Sequence, residues 1–438
     1  MKKLVLFSAT VALVLGGLSA CGKKGNQSNT SSDPGEIKVW VQFSDETAEG
    51  AAWQEIVDNF NQEFNGKYKA VTEYIPRSGS GGGYEDKVNA AITTKTLPDV
   101  ITLDGPNTAA YAHSKVLEPL DEYLDDDDMA DVLPSIKQQG TYNGKFYAFG
   151  YSESSVGLYY NKKMFKQAGI KDSELPTLDN PWTWTEFQDV LERLHKEFEA
   201  PVFNMQLANK DEMLTYAYTP FIWSNGGSIV NKEGTETIGY YNSKETVGAL
   251  SYIQELIKND YVPVTPVEKG FETGKYPMLL SGSWTMADLE GNYKDIDYGI
   301  LPYPVSDKTK KLVSPTGSWA LGMTTNTEKK DASAEFIKFA TSTESSKIMS
   351  LGNSVLPIRN STIDLIKNDV PEGMKMLMEQ NQVSGRARPV VVAYPQVSRA
   401  FQQSIQDITY YKENPDIQAV ADIRAKEMQQ AINNLLNK

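Results

Sequence analysis

Residues 36–43 read Glu36-Ile37-Lys38-Val39-Trp40-Val41-Gln42-Phe43. Ile37, Val39 and Val41 alternate with Lys38, Trp40 and Gln42, the period-two pattern of a strand with one buried face. Ser44 or Asp45 can then cap a helix in which Trp53, Ile56, Val57, Phe60 and Phe64 recur at helical spacing. Residues 68–75 read as a second strand, 84–95 as a helix and 99–103 as a third, short buried strand. Strand, helix, strand, helix, strand is a βαβ series, which predicts an α/β fold built on a mainly parallel sheet with helices on both faces. In such sheets ligands sit beyond the carboxyl ends of the strands. Here those ends are 42–44, 76–83 and 103–106.

The pattern continues with larger insertions. Residues 144–160, rich in Tyr, Phe and Gly, read as strand pairs. Helices are expected over 185–198, with Phe187, Val190, Leu191 and Leu194 on one face, and over 241–258 and 331–341. The chain should end in helices over 394–411 and 416–436. Strands are expected over 276–280, 297–301 and 319–324. No short-period repeat is present, and two α/β lobes is the economical architecture.

At the other end of the chain, Lys2 and Lys3 precede the apolar run 4–18, and Leu18-Ser19-Ala20-Cys21 follows, with the only cysteine of the sequence at its close. A positive start, an apolar core and small residues describe a signal peptide over 1–20. The run is too short to cross a bilayer comfortably. With cysteine at the cleavage point the segment resembles a bacterial lipoprotein signal, which implies lipidation of Cys21 (palmitate among the acyl chains). Residues 21–35, rich in Gly, Asn, Ser and Lys, read as a flexible tether. The expected place is the extracellular face of a cell membrane, of Gram-positive type, on a lipid anchor. Cleavage leaves no cysteine for a disulfide, so the core must supply stability.

Lys and Arg number 43 against 57 Asp and Glu, a net charge of −14 that becomes −16 without Lys2 and Lys3. An acidic chain has no Lys/Arg footprint for phosphates, so nucleic acid is not an expected partner. His113 and His195 are the only histidines and lie far apart, which supports neither a zinc site nor a Ser-His-Asp triad. Residues 125–128 are four aspartates without the alternating ligands of an EF-hand loop, and read as a solvated turn. Residues 79–83 are Gly-rich but lack the Lys-Ser/Thr of a P-loop, so a cleft-edge loop is expected there. No metal and no cofactor is expected.

In order along the chain stand Leu97-Pro98-Asp99-Val100 with Asp104, Leu117-Glu118-Pro119-Leu120, Gly144-Lys145-Phe146-Tyr147-Ala148, Leu158-Tyr159-Tyr160-Asn161-Lys162 and Ala168-Gly169-Ile170. Then come Pro181-Trp182-Thr183-Trp184-Thr185-Glu186-Phe187, Gly282-Ser283-Trp284, Pro302-Tyr303-Pro304, 334–339, Arg388-Pro389 and Tyr394-Pro395. Each piece alone is weak, but the ordered set resembles the maltose-binding-like solute-binding proteins, family 1, that feed ABC importers. The resemblance spans nearly the whole chain after the tether. It implies a two-lobed periplasmic-binding-protein-like fold with discontinuous lobes, a hinge and an interlobe cleft. The first lobe would be 36–142 plus 308–352, the second 143–307 plus 353–438. It implies a monomer without catalytic activity that binds carbohydrate and delivers it to ABC permease subunits.

Sugars present hydroxyl edges that suit carboxylate, Asn or Gln, and C–H faces that pack on flat rings. Loop ends holding that mixture nominate Gln42 and Phe43 after the first strand, Asp104 before Gly105-Pro106, and Tyr151 and Glu153 at the expected hinge. Trp223 before Gly226-Gly227, Trp284 after a buried strand, Trp319 and Arg388 complete the set. Two other functions compete. An exported glycosidase would need a pair of carboxylates about 5–9 Å apart. The same fold could bind a polar solute such as glycerol phosphate, which would call for Arg or a helix N-terminus. The nominated loops are poor in Arg, and several aromatics favour an oligosaccharide over a monosaccharide.

Overall fold

The first strand behaves as its alternation requires. In Glu36–Val41, Ile37, Val39 and Val41 are fully buried while Lys38 is exposed. The computed structural model describes residues 35–77, 83–317, 319–414 and 416–436; the signal peptide, Cys21, most of the tether and Gly79–Gly82 of the Gly-rich stretch lie outside them.

Among the described residues a five-stranded sheet runs in the order Lys69–Tyr74, Glu36–Val41, Val100–Asp104, Trp319–Met323, Ala148–Ser152. The first three strands are parallel, as the βαβ series demands. Trp319–Met323 is antiparallel to both of its neighbours, so the sheet is mixed, with four strands running one way and this one against them. That strand arrives from far along the chain and needs no crossover helix. The expected helix after the first strand is Ala48–Glu63, but its cap is Thr47, whose hydroxyl accepts from Gly50 N at 3.0 Å, three residues beyond Ser44. Its buried face, Trp53, Ile56 and Phe60, meets Phe149, Leu321 and Phe336 in one hydrophobic core.

A second sheet of four strands has the order Tyr298–Leu301, Val156–Asn161, Met278–Gly282, Phe203–Asn204. Helices Trp184–Phe198, Glu212–Ser224, Lys244–Lys258, Tyr394–Thr409 and Ile417–Leu436 share its larger core. Trp184–Phe198 starts in a capping box: Glu186 N donates to Thr183 Oγ1, and Thr183 N donates back to the Glu186 carboxylate at 2.8 Å.

The chain passes between the sheets more than once. It leaves the first after Ser152, enters the second at Val156, and returns between Ser314–Thr316 and Trp319–Met323. Ala148–Ser152, placed by the resemblance in the second lobe, therefore pairs in the first sheet, and Val355 and Ile358 join the first core. The ladder Ser314–Thr316 with Gly385–Ala387 lies at the crossing. Glu153 braces it: its buried carboxylate accepts from Ser135 Oγ at 2.7 Å, Ser154 N at 2.9 Å and Gly317 N at 2.7 Å. Among the described residues no helix is long and apolar enough to cross a membrane. The aspartate run is also placed: Asp125 caps the helix Asp126–Asp131, and Asp128 and Asp131 pair with the buried Arg359.

Candidate functional site

Where the first three strands end, a cavity of about 260 Å³ opens between the first sheet and the start of the helix Glu212–Ser224, which packs in the second core. Four nominated residues line it: Asp104, Trp284, Trp319 and Arg388. Asp104 closes the strand Val100–Asp104, and Trp319 pairs with it across the antiparallel ladder. Trp284 stands just past Met278–Gly282, ahead of the helix Thr285–Asn292. Its indole lies on Gly282, where a Cβ would meet the ring at 2.1 Å, so only glycine leaves room for it. The ring is 39% exposed and tilted 30° from Tyr216 at 6.4 Å between centroids. On the other wall the Arg77 guanidinium sits 5.1 Å over the Trp319 ring and pairs with Glu85 at 2.8 Å.

Arg388 ties the walls together. It donates to both Asp104 oxygens at 2.8 and 2.6 Å and to Glu212 at 2.6 Å, and it is almost completely buried. Glu212, on the helix Glu212–Ser224, also accepts from Tyr394 and from Ser398 Oγ at 2.5 Å. Burial raises the Glu212 pKa, and the Arg388 charge opposes that shift. The guanidinium lies 4.8 Å over the Tyr216 ring, and Tyr216 donates to Ser154 O at 2.9 Å. Gly317 permits this approach, since a Cβ there would meet Tyr216 at 2.8 Å and Arg388 at 2.9 Å.

The remaining nominated residues fall elsewhere. Gln42 and Tyr151 stand behind the wall: Gln42 Nε2 donates to the Tyr151 hydroxyl at 2.8 Å, which donates to Glu49 at 2.9 Å. Glu49 lines the cavity, and burial pushes its carboxyl up to about 7, partly offset by the Tyr151 hydrogen bond. Phe43 is core, packed on Trp53 and Tyr74 at 6.0 Å from each. Glu153 is fully buried in the crossing, and Trp223 lines a different space. For Gln42, Phe43, Tyr151 and Glu153 the physical reason is common: a strand end supplies alternate side chains to opposite faces, and position in sequence does not say which face meets the cavity. Trp223 instead lies in the last turn of the helix Glu212–Ser224, which turns it to the other space.

Sequence reasoning missed Glu49, Arg77, Ser154, Asp211, Glu212 and Tyr216, all lining the cavity. For the last three a signal existed. Asp211 caps the helix, its carboxylate accepting from Met213 N at 3.0 Å, and an apolar run follows. Pro220 inside that run hid the helix.

A mixed sheet joined by repeated crossings to a second sheet, with a cavity between the first sheet and a helix of the second core, defines a two-lobed binding protein. Residues 44–347, more than half of the chain, match the family described as bacterial extracellular solute-binding protein, and the chain belongs to it. It is 24% identical over 384 residues, 84% of this chain and 85% of the relative, to the diacetylchitobiose binding protein DasA of Streptomyces coelicolor. It is 25% identical, over 76% of each chain, to the sn-glycerol-3-phosphate-binding periplasmic protein UgpB of Salmonella typhimurium. In fold it is similar to the cyclic alpha-maltosyl-1,6-maltose binding protein of Arthrobacter globiformis, with a TM-score of 0.75, 24% identity, and coverage of 92% of this chain and 98% of that one.

Proposed function

We propose that this chain captures a neutral carbohydrate in the cavity, closes its two lobes on it, and presents it unaltered to the permease of an ABC importer. The observation that carries the reading is the state of the arginines. Trp284, Tyr216 and Trp319 offer flat rings, while Arg388 is held by Asp104 and Glu212 and Arg77 by Glu85. A phosphate would need one of those guanidiniums free. The hydroxyls of a sugar need acceptors, and Glu49 and Asp211 line the cavity without an ion pair among the described residues.

The glycerol phosphate reading has the UgpB relative in its favour, but the paired arginines speak against it. The names of the DasA and Arthrobacter proteins, which specify oligosaccharides, favour an oligosaccharide here. We further propose that the lobes exchange between Ser152 and Val156 and between Thr316 and Trp319, that Cys21 carries the lipid anchor at the outer face of the membrane, and that the protein acts as a monomer without catalysis.

A thermal-shift panel of chito- and malto-oligosaccharides against glycerol 3-phosphate tests the main reading, since ligand binding raises the melting temperature by mass action. A shift with a neutral sugar that glycerol 3-phosphate does not compete away is expected; displacement of the sugar by glycerol phosphate, or a shift with glycerol phosphate and none with any sugar, overturns it. Mass spectrometry after prolonged incubation should find the sugar intact, and steady product would make the chain a glycosidase. Cys21→Ala should release the protein from the membrane fraction; retention as firm as the parent's would remove the anchor.

A further inference from the structure

A second space, of about 720 Å³, lies between the helix Pro134–Gly140 and residues of the second core and shares Arg388 with the cavity already described. One wall is the helix Pro134–Gly140, which contributes Lys137 and whose Ile136 belongs to the first core. The facing wall holds Trp223, Ile229 and Val230, with the hydrophobic pair Ile229 and Val230 in the second core. Arg386 enters from the strand Gly385–Ala387 at the crossing, and Lys232 stands at the exposed rim.

The charges here run against the rest of the molecule. In a chain of net charge −14, none of the residues lining this groove is acidic, while Lys137, Lys232, Arg386 and Arg388 all line it. Arg388 is neutralised by Asp104 and Glu212; among the described residues the other three have no ion-pair partner. The Arg386 guanidinium lies 4.5 Å over the Trp223 ring. Stacking occupies a face of the guanidinium and leaves its in-plane N–H donors directed sideways, the geometry that grips a planar or tetrahedral oxyanion. Lys137 spends a single proton on Met129 O, at 3.1 Å, and keeps the others. Three cations brought together without a counter-charge repel one another, and an anion between them relieves that repulsion.

We propose that this groove binds a small polyanion, of the size of pyrophosphate, held by Lys137 and Arg386 with Lys232 at its rim. The site borders the sugar cavity at Arg388 but holds its ligand on other residues, and it gives Trp223 a role as the platform that orients Arg386. Calorimetric titration of the purified chain with inorganic pyrophosphate, at fixed ionic strength against a sodium chloride blank, should give saturable binding with Kd below about 1 mM. The double variant Lys137→Gln/Arg386→Gln should bind at least tenfold more weakly and keep its sugar affinity. With the parent protein, raising sodium chloride from about 50 to about 200 mM should weaken pyrophosphate binding, because surface charges are screened. That measurement needs no variant. No saturable heat above the blank, binding undiminished in a folded double variant, or binding indifferent to salt would each overturn the proposal.

Discussion

Trp284 is more than a third exposed and rests on a glycine, so it contributes little to the core it borders. Trp284→Ala should therefore leave the melting temperature of the free protein almost unchanged while removing a stacking surface. The expected loss is about 1–3 kcal/mol of sugar binding, a five- to 150-fold rise in Kd. Calorimetry with a melt of the free variant checks both halves. Glu49 makes a prediction in pH. Its folded pKa, about 7, lies above the ordinary 4.5, so the folded state holds a proton that the unfolded state has released between those values. That contribution to stability is fully present below pH 4.5, declines as pH rises through 7, and is gone above it. Melting temperatures from pH 4 to 8 should fall more steeply for the parent than for Glu49→Gln, which keeps an acceptor for the Tyr151 hydroxyl and cannot ionise. Parallel curves would show that Glu49 does not titrate as its surroundings require.

Among the elements, the helix Glu212–Ser224 matters most to the cavity, because it carries Glu212 and Tyr216 to it from a start fixed by Asp211. Asp211→Ala removes the cap and should cost about 1 kcal/mol in urea denaturation. The strand Met278–Gly282 sets the other side, and Gly282→Ala should mimic the loss of Trp284 in titration by driving its indole aside. How legible these elements were follows from their periodicity. Glu36–Val41 and Trp184–Phe198 carry clean periods of two and 3.6 and were read nearly to their ends. Glu212–Ser224 is buried on all sides, so its apolar residues show no face, and an internal proline argued against it. Asp104, Trp284, Trp319 and Arg388 could be nominated because they end strands or follow glycines. Their convergence, and the pairing that consumes Arg388, depend on contacts across 284 residues of sequence for Asp104 and 176 for Glu212, which no local pattern encodes.

For the molecule as a whole, the Arg388 ion pairs join the first sheet to a helix of the second core. Arg388→Met would leave Asp104 and Glu212, partly buried at the cavity, without their counter-charge, and should cost about 3 kcal/mol, the low end for a broken buried pair, read as a drop in the urea midpoint at neutral pH. A variant as stable as the parent would show that water already compensates these carboxylates. The strand Trp319–Met323 has a different kind of consequence. It pairs with Val100–Asp104 on one side and Ala148–Ser152 on the other, and it is the link between them. As the chain is synthesised, the first three strands and then Ala148–Ser152 emerge long before the piece that joins them. The first half of the protein therefore waits, its sheet split, until well over three hundred residues exist. A chain that completes its earliest domain so late stays threadable through a narrow channel for most of its synthesis.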